Sequence, residues 1–168
     1  MMARSHIVIG VATWLGAAPM LHLPALDPTC LGLVVMGALL PDIDHPQSWV
    51  GRRTRPVSTA IAATFSHRGI THSAIAVIGL TMLLLHSGYR RGTVSALAVG
   101  YLSHLAADML TPRGLRLAWP LRGTWGIPLC RTDSMTEPVV VTLVAAGVVW
   151  RLLRHHAGLG VLPARWWL

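Results

Sequence analysis

The sequence predicts an all-α integral membrane helical bundle of about five apolar segments, with a metal site at one membrane face. Three observations carry that fold class. Hydrophobic residues make up 53% of the 168 residues and charged residues 12%, the mean hydropathy is +0.56, and apolar runs recur between proline, glycine and arginine punctuation. All fourteen basic residues are arginine, giving a formal charge of +8. They are scattered between apolar runs instead of lining one polar face, which suits orientation in a bilayer and not nucleic-acid binding.

The first apolar segment runs over residues 7–23, after Arg4. Its basic start and Ala17-Ala18 near its end also fit a signal peptide, but further apolar segments follow. The second, residues 31–40, is entered through Pro24 and Pro28 and is short against the roughly 20 residues a span needs, unless the stretch from Leu26 joins it. Residues 46–69 are polar, with Arg52, Arg53, Arg55 and Arg68, and contain an interfacial helix over 57–65. Residues 73–85 form the third segment, with Arg90-Arg91 at its exit. Residues 94–110 form the fourth, stopped by Thr111-Pro112 with Gly114 beyond. A second polar loop covers 112–137. The fifth segment, residues 139–153, is closed by Arg151 and Arg154, and Trp166-Trp167 reads as an interfacial anchor. The whole chain, 1–168, is one membrane-embedded domain, with its core over about 1–130 and a last helix and tail from 138.

Five spans fix which loops share a side. Arg4, Arg52, Arg53, Arg55, Arg68, Arg113, Arg116, Arg122 and Arg131 fall together, leaving five arginines opposite. The excess predicts a multi-pass protein of the bacterial inner membrane with a cytoplasmic N terminus. Cys30 and Cys130 form no CxxC pair and are expected to be reduced.

The chain has only six acidic residues, and two stand in Leu40-Pro41-Asp42-Ile43-Asp44-His45-Pro46. Between two prolines the backbone is pushed from helix, so Asp42 and Asp44 are expected in an extended turn that aims both at one centre. A helix-terminating turn with Asp as a capping residue explains the motif equally well alone. His104 and Asp108, four apart, share one helix face and suit a single ion; a structural His–Asp hydrogen bond is the alternative. In His67-Arg68-Gly69-Ile70-Thr71-His72, two imidazoles flank an arginine around a turn, and a solvated basic loop is its plain reading.

The predicted topology brings His6, Asp42, Asp44, His67, His72, His104 and Asp108 to the same membrane face. Ionisable groups there are costly unless they pair or bind an ion. Imidazole and carboxylate donors without thiolate suit zinc, with manganese next, and their number predicts two divalent ions. Such ions activate water and clamp attacked and leaving oxygens. Arg68 is a candidate catalytic residue for holding a phosphate by a bidentate contact, or a plain topology charge. His45 orients a ligand carboxylate or carries a proton. His22, His86, His155 and His156 take no chemistry, Asp27 reads as a turn residue, and Asp133 and Glu137 read as caps of the fifth segment.

The blocks LLPDIDHPQS (39–48), FSHRGITHS (65–73) and GYLSHLAADMLTPRG (100–114), with Trp119-Pro120 after them, resemble the YdjM family of inner-membrane, metal-dependent hydrolases over about residues 1–130. The resemblance implies the same seven-residue metal set. A fainter similarity in ligand types links such proteins to zinc phospholipase C and P1-type nucleases. The expected function is a membrane-bound phosphoesterase that cleaves a phospholipid or lipid-linked phosphate through metal-activated hydroxide. A divalent-metal transporter or structural membrane partner is the rival, although a transporter would put such groups near mid-bilayer.

Overall fold

Three of the helices begin where the sequence places capping side chains. In the computed structural model, which describes residues 1–65, 69–121 and 123–158, the chain forms α1 (Ala3–Ala17), α2 (Pro28–Leu39), α3 (Trp49–Arg53), α4 (Arg55–Phe65), α5 (Ala74–His86), α6 (Arg91–Met109) and α7 (Thr136–Gly158). Short 3₁₀ turns at Pro19–Leu21, Leu40–Asp44 and Ile70–His72 join them. Asp27 is the N-cap of α2, accepting the Cys30 amide at 2.8 Å, and Pro28 fills the first turn, where no amide is needed. Ser48 and Ser73 cap α3 and α5 in the same way, through the amides of Gly51 and Ala76.

Helix α6 is the central element, packed most extensively along α2 and then against α1 and α5. Small residues make the α2–α6 contact close. A Cβ on Gly100 would lie 2.1 Å from the Val34 carbonyl oxygen, and one on Gly37 would lie 2.2 Å from that of Leu97. Backbone therefore meets backbone, which only glycine allows. Trp14, Ala18, Cys30, Val34 and Ala96 form one buried cluster, and Val77, Tyr101, Leu105 and Leu115 a second. The long loop after α6 folds back on it: Ile127 and Cys130 donate to the carbonyls of Met109 and Leu110 at 2.7 and 3.0 Å, satisfying the end of the helix. Leu115 and Trp125 exchange two 2.8 Å backbone bonds, an isolated pairing.

The all-helical expectation holds, whereas the integral membrane bundle does not: among the described residues no helix is long and apolar enough to cross a membrane. The apolar runs at 7–23, 31–40 and 73–85 fold as helices of 15, 12 and 13 residues. At 1.5 Å per residue these reach about 18–23 Å, short of a hydrocarbon core of about 30 Å. Helix α6 has 19 residues but carries Arg91, His104 and Asp108. The multi-pass topology and the sidedness drawn from the arginines lose their basis with the spans. Both cysteines are free and buried.

Candidate metal centre

Four elements deliver the polar side chains to one buried region. His6 comes from α1, Asp42 and Asp44 from the turn after α2, His72 from the turn before α5, and His104 and Asp108 from α6. Of these, only Asp42 is not fully buried. Six of the seven predicted metal residues thus gather. His67 and the candidate catalytic Arg68 lie outside the described residues.

Hydrogen bonds fix how the rings face. His104 Nδ1 is 2.7 Å from the Ala38 carbonyl oxygen, which can only accept, so the proton sits on Nδ1 and Nε2 keeps its lone pair. His72 Nδ1 is 3.1 Å from Asp44 Oδ2, which likewise puts a proton on Nδ1 and turns Nε2 inward. Thr71 Oγ1 donates to that carboxylate oxygen, and the Tyr101 hydroxyl donates to the Thr71 carbonyl. The two Nε2 atoms then face each other at 3.3 Å. Two ring nitrogens that close need a cation or a proton between them.

Carboxylates complete the surround. Asp42 Oδ1 lies 3.9 Å from His72 Nε2 and 3.8 Å from His104 Nε2, and Asp108 Oδ2 lies 3.8 Å from each. A tetrahedral ion with bonds of about 2.0–2.2 Å has ligand-to-ligand edges of about 3.3–3.6 Å, so the donors need to close by only a few tenths of an ångström. His6 stacks on His104 with ring centroids 3.8 Å apart and 15° between planes. Its Nε2 is 3.5 Å from Asp108 Oδ1, beyond good hydrogen-bond geometry, and neither ring nitrogen of this buried imidazole has a hydrogen bond. A buried orphan of that kind fits a metal centre.

Among the described residues, two groups have donors close enough for one ion: His6, His104 and Asp108, and Asp42, His72 and His104. They share His104, whose only free nitrogen is Nε2. Burial, then the neighbouring His6, pushes the His104 imidazole well below its ordinary pKa, keeping it neutral as a ligand must be. Burial works the other way on Asp108, yet His6, the Met1 amine and His104 outweigh it and hold the carboxyl well below the usual range. The amine is 2.8 Å from Asp108 Oδ1.

The extended turn expected for the Asp42–Asp44 motif is instead a 3₁₀ turn. With three residues per turn, side chains two apart diverge. Asp42 therefore approaches the Nε2 side of His72 while Asp44 holds its Nδ1. Asp44 positions the ring and does not aim at the same point. His45 follows the turn and lines a cavity of about 800 Å³ whose wall also contains Asp42 and Asp108.

Four contributors escape sequence reasoning. Thr71 and Tyr101 form the chain that steadies Asp44, and both adjoin or lie close to a histidine motif. Glu137, expected to cap its own helix, clasps α1: it is buried and accepts from Ser5 Oγ at 2.6 Å and the Met2 amide at 2.7 Å, next to His6. The Ala38 carbonyl has no sequence signal.

Known proteins share this sequence pattern. The inner membrane protein YdjM of Escherichia coli (strain K12) is 43% identical over 100 residues, covering 56% of this chain and 51% of the relative. The protein of the same name from Shigella flexneri matches to the same extent. The uncharacterized protein YvsG of Bacillus subtilis (strain 168) is 32% identical over 145 residues, covering 84% of this chain and 88% of the relative. The chain's match spans about half the length of the YdjM proteins. No solved structure matches the chain. The family model described as YdjM inner membrane protein matches residues 1–167, the stretch that holds every residue of the centre, and the chain belongs to that family.

Proposed function

We propose that this protein is a metal-dependent hydrolase of phosphoesters that works at the inner membrane. The observation that carries the reading is the pair of inward-facing Nε2 atoms of His72 and His104, 3.3 Å apart in a buried site ringed by Asp42 and Asp108, with the Nδ1 of each ring turned to an acceptor. Asp42, His72 and His104 would hold one divalent ion, zinc before manganese, and three protein ligands would leave it a position for water, as in catalytic sites. Such an ion supplies Lewis-acid activation of water and of the phosphoryl oxygen. Asp108, read from the sequence as a ligand, is assigned a different part. Its ionised Oδ2 would accept a hydrogen bond from the attacking water and so orient it, while the Met1 amine, 2.8 Å away, holds its other oxygen. Asp44 and the Ala38 carbonyl keep the two liganding rings turned inward. Two relatives carry an inner-membrane name, and α5 leaves Ile75, Ile78, Met82, Leu83 and Leu85 exposed, a surface that suits lipid.

Detergent-purified protein is expected to contain about one zinc per chain and to hydrolyse a phosphomonoester. The His72→Ala and Asp42→Ala variants should lose both metal and hydrolysis, whereas Asp108→Asn should keep the metal and lose hydrolysis. Metal retained in a His72→Ala, Asp42→Ala double variant, measured by plasma mass spectrometry, would overturn the ligand set. A zinc-loaded wild type that cleaves no phosphoester would overturn the reaction.

A further inference from the structure

We infer that Arg4, Arg52, Arg113 and Arg131 form a collar at the cavity mouth that binds a phosphate group carrying about two or more negative charges, a phosphomonoester or a diphosphate. The inference rests on reading the cavity floor as a hydrolytic metal centre. The four arginines come from α1, α3, the turn after α6 and the loop before α7, and all line the same cavity of about 800 Å³ as Asp42 and Asp108. The chain folds the α6–α7 loop back over the end of α6, which is what brings Arg113 and Arg131 to this mouth.

Among the described residues, none of these four guanidinium groups makes an ion pair with a carboxylate. Neighbouring arginines are placed otherwise. Arg53 lies 3.7 Å over the Trp49 ring and donates to the Trp49 carbonyl at 2.9 Å, and Arg116 does not line the cavity. Four like charges around one opening repel one another unless an anion meets them. The floor does not neutralise them, because a divalent ion would balance Asp42 and Asp108. A zwitterionic phosphodiester headgroup brings no net charge. A terminal phosphate brings about −1.5 to −2 at neutral pH and a diphosphate more, with oxygens that match the guanidinium fork.

The ligand's phosphate could arrive on a lipid or free in water, and the test separates these sources. Zinc-loaded full-length protein is titrated with inorganic pyrophosphate by calorimetry. Its binding to phosphatidylcholine vesicles is compared with and without phosphatidic acid. Saturable binding of pyrophosphate, preference for phosphatidic acid vesicles, or both supports the collar, and competition between them shows one site open to either source. Each Arg→Gln change at 52, 113 and 131 should weaken binding by about tenfold, the loss of one charged hydrogen-bonding group. Zinc content and melting temperature should stay as in the wild type. Binding to neither probe, binding undiminished in the Arg52→Gln, Arg113→Gln double variant, or equal binding to pure phosphatidylcholine would overturn the collar even if zinc is bound. Arginine-dependent binding in a protein that takes up no zinc would sustain the collar while removing the metal reading.

Discussion

Helices α5 and α6 are neighbours in the chain and opposites in placement. Helix α5 is almost wholly apolar from Ala74 to His86, yet Val77 is its only fully buried side chain. Helix α6 carries Tyr101, Ser103, His104 and Asp108, and it is buried along most of its length. Composition thus runs against burial. Hydropathy records what a helix is made of, and burial records what covers it. Here the polar helix is enclosed because α1, α2 and α5 surround it and its polar atoms find partners. The apolar helix lies outside because, among the described residues, no element packs on its far side.

The same substitution in the two helices should break in opposite directions, and the largest effect belongs to α6. Gly100→Ala drives a Cβ to 2.1 Å from the Val34 carbonyl, and neither backbone can move without separating α2 from α6. A loss of about 3 kcal/mol is expected in chemical denaturation, the upper end of overpacking costs. Because His104 lies one turn beyond Gly100, zinc affinity should fall with it.

A smaller effect tests what the buried helix borrows from its surroundings. Asp44→Asn keeps the shape and removes the charge that holds His72 Nδ1 at 3.1 Å. Zinc affinity should drop about 10- to 100-fold, measured by competition with a chelator, with the fold intact. An unchanged affinity would mean that the 3₁₀ turn alone orients the ring.

The smallest change is a gain. Gly79 sits in α5 with nothing within 4 Å of the point an added methyl group would occupy, so Gly79→Ala meets open space. Helix propensity then favours alanine by about 0.5–1 kcal/mol, seen as a modest rise in melting temperature. A loss at this position would show that the outer face of α5 is covered after all.

Much of this is legible in the sequence. Pro28, Ser73 and Pro112 with Gly114 punctuate the chain close to where helices start and stop. Residue type and spacing single out His6, Asp42, His72, His104 and Asp108, and they meet. The spans mislead because an apolar run counts equally toward a span and toward a helix packed among others, and length alone separates them. The division of labour between Asp42 and Asp44 depends on whether their turn is extended or 3₁₀, which two flanking prolines do not decide. Glu137 reaches across to Ser5, 132 residues away in sequence, a contact that spacing cannot reveal.

The bond between His104 Nδ1 and the Ala38 carbonyl ties an imidazole on one helix to the main chain of another, in the stretch where both are held by glycine. The ring therefore works as a spacer gauge. Sliding α2 along α6 by a single residue, about 1.5 Å, would carry the carbonyl out of reach and leave the ring free to turn its nitrogens around. Any partner that leaned on α2 hard enough to shift it could switch the centre off without ever touching it.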